Sequence, residues 1–258
     1  IGKTQEAETA CRKAIELNPK IFHSHYLFAN ILMGQNKLQE AALSIRKAIE
    51  IKPDFANAHY NLGIILKTLG KAEEAELSTR KAIEIKPDFA EAHYNLGTIL
   101  KDLSKVQKAE LSFKKAIELK PNFAEAHYNL AIILNDLDKS QKAELSLKKA
   151  IEIKPNYFGA LYNLGIILKD LGKLKEAEVS FRKAIDLKPD FVDAHYNLGL
   201  ILKNLGKVKE AEVSTRKAIE INPSFADAHL NLGSILRDLG KLQEAEISYR
   251  KAIKIKPD

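Results

Sequence analysis

The sequence predicts an all-α solenoid of helix-turn-helix repeats, and three observations predict it. All eight prolines, at 19, 53, 87, 121, 155, 189, 223 and 257, stand 34 residues apart. The hexapeptide AHYNLG at 58–63 returns unchanged at 92–97 and 194–199, and as AHYNLA at 126–131, ALYNLG at 160–165 and AHLNLG at 228–233. Between the prolines, apolar residues recur at helical spacing, with no run of β-branched residues at period 2. A fixed period over the whole chain speaks for repeated construction rather than for one catalytic centre.

Counted from the prolines, residues 1–21 form the second half of a repeat, and full repeats start at 22, 56, 90, 124, 158, 192 and 226, the last ending at 258. With no long polar linker, residues 1–258 read as a single array of fifteen helices. The repeat at 56–89 shows why each element forms. Ala58, Leu62, Ile65 and Leu69, with Leu66 beside them, make one helical stripe. Gly70 permits the left-handed backbone that ends a helix, and the same slot holds Asn36, Ser104, Asp138, Gly172, Gly206 and Gly240. A second helix runs from about Ala72 to Ile85, with Ala75, Ala82, Ile83 and Ile85 apolar and Glu76 one turn before Arg80. Pro87 stops it, because proline lacks an N–H and disfavours helical backbone in the residue before it. Helices of this length are marginal alone in water, so stability must come from stacking hairpins on their neighbours.

Composition narrows the function classes. The 258 residues contain no stretch near the ~20 apolar residues that span a membrane. The opening IGKTQEAETA has no apolar export signal, which leaves a cytoplasmic location as the expectation. The one cysteine, Cys11, excludes an internal disulfide and a cysteine-based zinc site, and reads as a small apolar filler. Lysine and arginine exceed acids by 41 to 34, and the net charge of +7 makes the placement of basic residues decisive for an anionic partner.

These residues resemble the tetratricopeptide repeat family, whose 34-residue unit carries W-x2-L-G-x2-Y, then A-x3-F, then P. In 56–89 the matching positions are His59, Leu62, Gly63, Leu66, Ala75, Thr79, Ala82 and Pro87. Histidine stands where the family has a large aromatic, and later aromatics are often Leu or Thr; these swaps are expected to alter packing detail only. The resemblance implies a right-handed superhelix with the first helix of each repeat on the concave face. It also implies that the array, which starts in mid-repeat and has no polar capping helix, is a piece of a longer one or self-associates through its ends.

Six of the seven histidines, His25, His59, His93, His127, His195 and His229, share the fourth position. Neighbouring helices lie at least roughly 8–10 Å apart, too far for side chains at equivalent positions to share a metal whose nitrogens sit about 2 Å away. Packed, hydrogen-bonded histidines are expected, with no metal or cofactor.

Asparagine is the candidate binding residue: Asn61, Asn95, Asn129, Asn163, Asn197 and Asn231 hold the sixth position of six consecutive repeats, although Asn is a mediocre helix former. Tyr60, Tyr94, Tyr128, Tyr162 and Tyr196 precede five of them. On a helix these positions lie opposite the core stripe, together with Ile64, Lys67 and Thr68 in one repeat and Thr98, Lys101 and Asp102 in the next. An Asn ladder offers donors and acceptors that could hold the backbone of an extended peptide in a groove, a use the family resemblance also implies. The alternative is structural: Asn bonds to the next repeat and Tyr packs between helices. The family's clamp for a C-terminal carboxylate needs basic residues where this chain has Asn57, Glu91 or Glu125, then Tyr, then Asn, so no such clamp is expected.

Basic pairs such as Arg80-Lys81, Lys114-Lys115 and Arg216-Lys217 sit on second helices, most of them one turn after a glutamate, and read as an ion-paired outer face. Groove lysines Lys101, Lys169 and Lys203 are each followed by Asp or Asn, so no basic track forms. No phosphate loop, nucleophile elbow, HExxH or CxxC motif occurs, and the recurring serines, such as Ser44 and Ser78, are repeat features. The expected function is a non-enzymatic protein-interaction scaffold holding an extended segment of a protein or peptide. Two alternatives are a non-catalytic recruiting arm of a larger transferase-type protein and an RNA-binding helical repeat. The near-identity of the groove positions argues against the last, since it could read only a monotonous sequence.

Overall fold

The computed structural model describes the backbone of residues 2–257 and the side chains of residues 5–257. The outermost residues assigned to the array, Ile1 and Asp258, lie outside the described residues. Among those described there are fifteen helices and no strand. The second helices are α1 (Gly2–Leu17), α3 (Leu38–Ile51), α5 (Ala72–Ile85), α7 (Val106–Leu119), α9 (Ser140–Ile153), α11 (Leu174–Leu187), α13 (Val208–Ile221) and α15 (Leu242–Ile255). The first helices are α2 (Phe22–Gly34), α4 (Ala56–Thr68), α6 (Ala90–Asp102), α8 (Ala124–Asp136), α10 (Phe158–Asp170), α12 (Val192–Asn204) and α14 (Ala226–Asp238).

Each turn is built as its sequence requires. Asn36, Gly70, Ser104, Asp138, Gly172, Gly206 and Gly240 all have positive φ, between 57° and 75°. The following lysine N–H then reaches back to the leucine carbonyl five residues earlier, as Lys71 does to Leu66 at 2.9 Å, closing the first helix with a Schellman bond. First helices start without a side-chain cap, behind a row of aromatic residues that includes Phe55, Phe89, Tyr157 and Phe191.

The chain divides into two compact bodies, Ile1–Ile133 and Leu134–Asp258. In the first, α2 packs on α3, α4 on α5 and α6 on α7, and the hairpins stack through α1 on α2, α3 on α4 and α5 on α6. The second repeats the pattern with α10 on α11, α12 on α13 and α14 on α15, stacked through α9 on α10, α11 on α12 and α13 on α14. The seam is apolar: Ala58, Ile65, Ala75 and Ala82 are fully buried in the first body, and Ala194, Ile201, Ala211 and Ala218 in the second. Each fully buried Ile or Leu contributes about 1.5–3 kcal/mol. Phe113 and Phe181 fill the seam in two repeats by lying on Gly97 and Gly165, where a Cβ would come within 2.7 Å of the ring. No helix among the described residues is long and apolar enough to cross a membrane.

Candidate binding face of the first helices

Within each body the first helices lie on the tighter side. Successive first helices approach one another directly, α4 and α6 in one body, α10, α12 and α14 in the other. Second helices reach their successors through long side chains, as in Arg46–Glu74 at 3.1 Å and Arg216–Glu244 at 2.7 Å. The row of first helices is therefore the inner face of each body.

The six histidines carry no such face. In each, Nε2 lies 2.9–3.0 Å from the carbonyl oxygen of the proline six residues earlier, from His25 with Pro19 to His229 with Pro223. That carbonyl lies past the end of a helix and has no helical N–H partner, so the imidazole Nε2–H satisfies it. The expected packed, hydrogen-bonded histidine is thus found, with a partner the spacing did not specify. Among the described residues no group of three or more His, Cys, Asp or Glu side chains is placed to hold a metal ion.

The tyrosines pack as much as they point. Tyr60 and Tyr94 each lie 4.8 Å from the ring that ends their own repeat, Phe89 and Phe123, while Tyr162 lies 5.0 Å from Phe191 and Tyr196 4.9 Å from Phe225. A lysine also lies over several of these rings, Lys86 at 4.9 Å from Phe89 and Lys120 at 4.8 Å from Phe123. Burial pushes the phenols of Tyr60, Tyr94, Tyr162 and Tyr196 above their ordinary range, and the nearby carboxylates of Glu91, Glu125, Asp193 and Asp227 push in the same direction. These hydroxyls stay protonated, and can donate, at neutral pH. Tyr128 is half-buried like the others.

The asparagines divide into groups by their neighbours. Asn95 and Asn231 are 7% exposed and donate Nδ2–H to the hydroxyls of Thr79 and Thr215, both at 3.2 Å, in the second helix of the preceding repeat. Where that position is apolar, the amide turns elsewhere. Asn61, following Ile45, donates to Asn30 Oδ1 at 2.7 Å and to the Tyr26 hydroxyl at 3.3 Å. Asn129, following Phe113, donates to the Tyr94 hydroxyl and the Glu125 carbonyl, both at 3.0 Å. Asn197, following Phe181, donates to the Asp193 carbonyl at 2.8 Å and accepts from Lys169 at 3.3 Å. Asn163 follows Leu147 and is half-buried.

The ladder is thus not a row of free amides. In Asn61, Asn95, Asn129 and Asn231 the amide nitrogen is engaged, while their carbonyl oxygens take no hydrogen bond from the described residues and are not sealed from solvent. Sequence reasoning missed the threonines at 79 and 215, which it treated as packing variants; they set the amide's direction. It also passed over the aromatic row at Phe55, Phe89 and Phe123, although its 34-residue spacing was visible. Of the groove lysines, Lys67 pairs with Asp102 at 3.4 Å, Lys169 with Asp170 at 3.7 Å and Lys203 with Asp238 at 3.5 Å, so acidic residues interrupt the basic ones on the inner face.

Profiles of known families match along the chain. Two described as "Tetratricopeptide repeat" match 90–123, 192–225 and 226–258, and 112–144 and 146–179. A third with that description matches 1–21 and 56–89, and one described as "TPR repeat" matches 29–70 and 167–206. Against curated proteins the sequence has no match. Among solved structures, YrrB, described as a TPR protein with an unusual peptide-binding site, is 27% identical with a TM-score of 0.66, over 72% of this chain and 96% of that one. MamA is 29% identical with a TM-score of 0.60, over 64% of this chain and 97% of that one. A tetratricopeptide repeat protein from Parabacteroides merdae shares the fold at 20% identity and a TM-score of 0.64, over 91% of this chain and 93% of that one.

Proposed function

The chain belongs to the tetratricopeptide repeat family, whose members are generally non-catalytic scaffolds for protein or peptide partners, and from that premise we propose that its first-helix face holds an extended peptide segment. The observation that carries this reading is the orientation of the asparagines. With their Nδ2–H groups engaged inside the protein, Asn61, Asn95 and Asn129 of the first body offer a row of carbonyl oxygens, as Asn231 does separately in the second, and the protonated Tyr60 and Tyr94 hydroxyls of the first body offer donors. An extended backbone presents N–H and C=O groups in alternation, so such a row meets it independently of side-chain identity. Internal hydrogen bonds fix the amide directions before any ligand arrives, which lowers the ordering cost of binding. The likeness to YrrB supports a peptide ligand for the same fold.

The test is a titration of unstructured peptides selected for binding from a random library. Changing Asn61 and Asn129 together to Ala is expected to weaken a selected peptide about tenfold, or roughly 1.4 kcal/mol, with the helical signal unchanged. Unchanged affinity would remove the ladder from the account.

A further inference from the structure

On the second helices one position, held by Thr9 in α1, is apolar in every full repeat and yet faces water. It holds Leu43, Leu77 and Leu111 in the first body, 67%, 74% and 67% exposed, and Leu145, Val179, Val213 and Ile247 in the second, 67%, 53%, 70% and 55% exposed. Exposed apolar residues scattered singly need no explanation, but one at every turn of a repeat makes a stripe. Leu77, Leu111, Leu145, Val179 and Val213 each follow a partly or fully buried glutamate of the ion-paired row, such as Glu76 or Glu144, so they lie just outside the seam.

Beside the stripe the surface is hollow. Because successive second helices are bridged by long side chains rather than packed, clefts open between them. One, of about 570 Å³, is walled by Ile49 and Leu77 and floored by His59 and Leu62. Its counterpart in the second body, of about 550 Å³, is formed by Ile185, Val213, His195 and Leu198. Smaller clefts repeat the arrangement beside Leu111 and Ile247. The rims carry both signs at the same period, Lys81 with Glu84 at 2.6 Å and Lys217 with Glu220 at 2.7 Å. A rim of alternating sign selects neither an acidic nor a basic partner; the surface that matches it in charge, in apolar knobs and in clefts is the same surface turned about a twofold axis.

We propose that the second-helix face is a self-association surface, in which a second copy of this chain seats its exposed Leu, Val and Ile side chains in these clefts across a twofold axis. The contact is apolar at its centre and ionic only at its rim. It is independent of the first-helix groove, and groove variants leave it intact.

Sedimentation velocity of the full chain over a concentration series tests it. The wild type is expected to pass from monomer to dimer. Leu43→Glu, Leu77→Glu and Leu111→Glu together, or Leu145→Glu, Val179→Glu, Val213→Glu and Ile247→Glu together, should raise the dimer dissociation constant at least about tenfold. Helical content, read by circular dichroism, should stay unchanged because these side chains are exposed. If a multiple variant fails to fold, Leu77→Ser alone should move the constant in the same direction. High salt should leave the dimer in place. A wild type that stays monomeric overturns the proposal, even if it binds another protein. So does a dimer that survives both sets of substitutions, which would place the contact at the ends or in the groove, and so does a dimer dissolved by salt alone.

Discussion

The two helices of each repeat share one apolar seam but hold their neighbours by different chemistry. Along the first helices the bonds between repeats near the seam are neutral, His195 to the Pro189 carbonyl, Asn95 to Thr79 and Asn129 to Tyr94, and ionic contacts such as Lys67–Asp102 sit at the helix C-terminal ends. Along the second helices they are ionic. Glu144 accepts from Lys148 in its own helix and from Lys173 in the next repeat, both at 2.7 Å, and Glu178 does the same with Arg182 and Lys207. The difference follows from solvation. Glu144 is 6% exposed, but its lysines are 47% and 43% exposed, so water still reaches the cations, and their two hydrogen bonds outweigh the cost of burying the carboxylate. The inner row is closed enough that short neutral groups suffice. One face should therefore answer to substitution and the other also to pH and salt.

The largest effect should come from the seam both faces depend on. Phe181→Ala empties a fully buried site against Gly165 and is expected to cost about 3–5 kcal/mol, read from the urea midpoint. Next comes the inner row alone. Thr79→Val keeps the volume but leaves the buried Asn95 amide without its acceptor, at a cost of about 1–3 kcal/mol, and this loss should not change with salt. Smaller still is Glu144→Gln on the outer row, which should cost at most about 1 kcal/mol and shrink as salt rises.

Acid sharpens the contrast. For Glu144, Glu178 and Glu212 burial pushes the carboxyl up, but hydrogen bonds from two cations outweigh it and hold each below its ordinary range. For Glu76 the hydrogen bond from Lys105 is the largest influence, also downward. A carboxyl lowered in the folded state contributes stability in full above its unfolded value, near about 4.3, and loses it as pH falls through the lower native value. A pH titration of the urea midpoint should therefore fall below that range, and Glu144→Gln should flatten the fall. An unchanged acid limb in that variant would remove Glu144 from the outer-row account.

Much of this was legible because it is written locally. The bounds of α5, Ala72–Ile85, and the left-handed turn at Gly70 follow from a glycine, a proline and a helical stripe a few residues apart. The shared position of the histidines was visible too, but not their partner, the proline carbonyl six residues earlier. The asparagine row was visible as repetition, but its state was not. Asn95 and Asn129 have the same local sequence, AHYNL, yet one donates to Thr79 and the other to Tyr94.

The sequence by itself determined the helices, their turns and their number, because backbone hydrogen bonds in a helix link residues four apart and their start and stop signals lie beside them. Only the tertiary structure decided what the repeated side chains do. The residue that directs Asn95 lies 16 positions earlier, in the preceding hairpin. The exposure of Leu77 beside its cleft depends on how far apart two stacked hairpins hold their second helices. Those contacts are set by packing between repeats, and a period of 34 residues states that the packing recurs without stating its geometry.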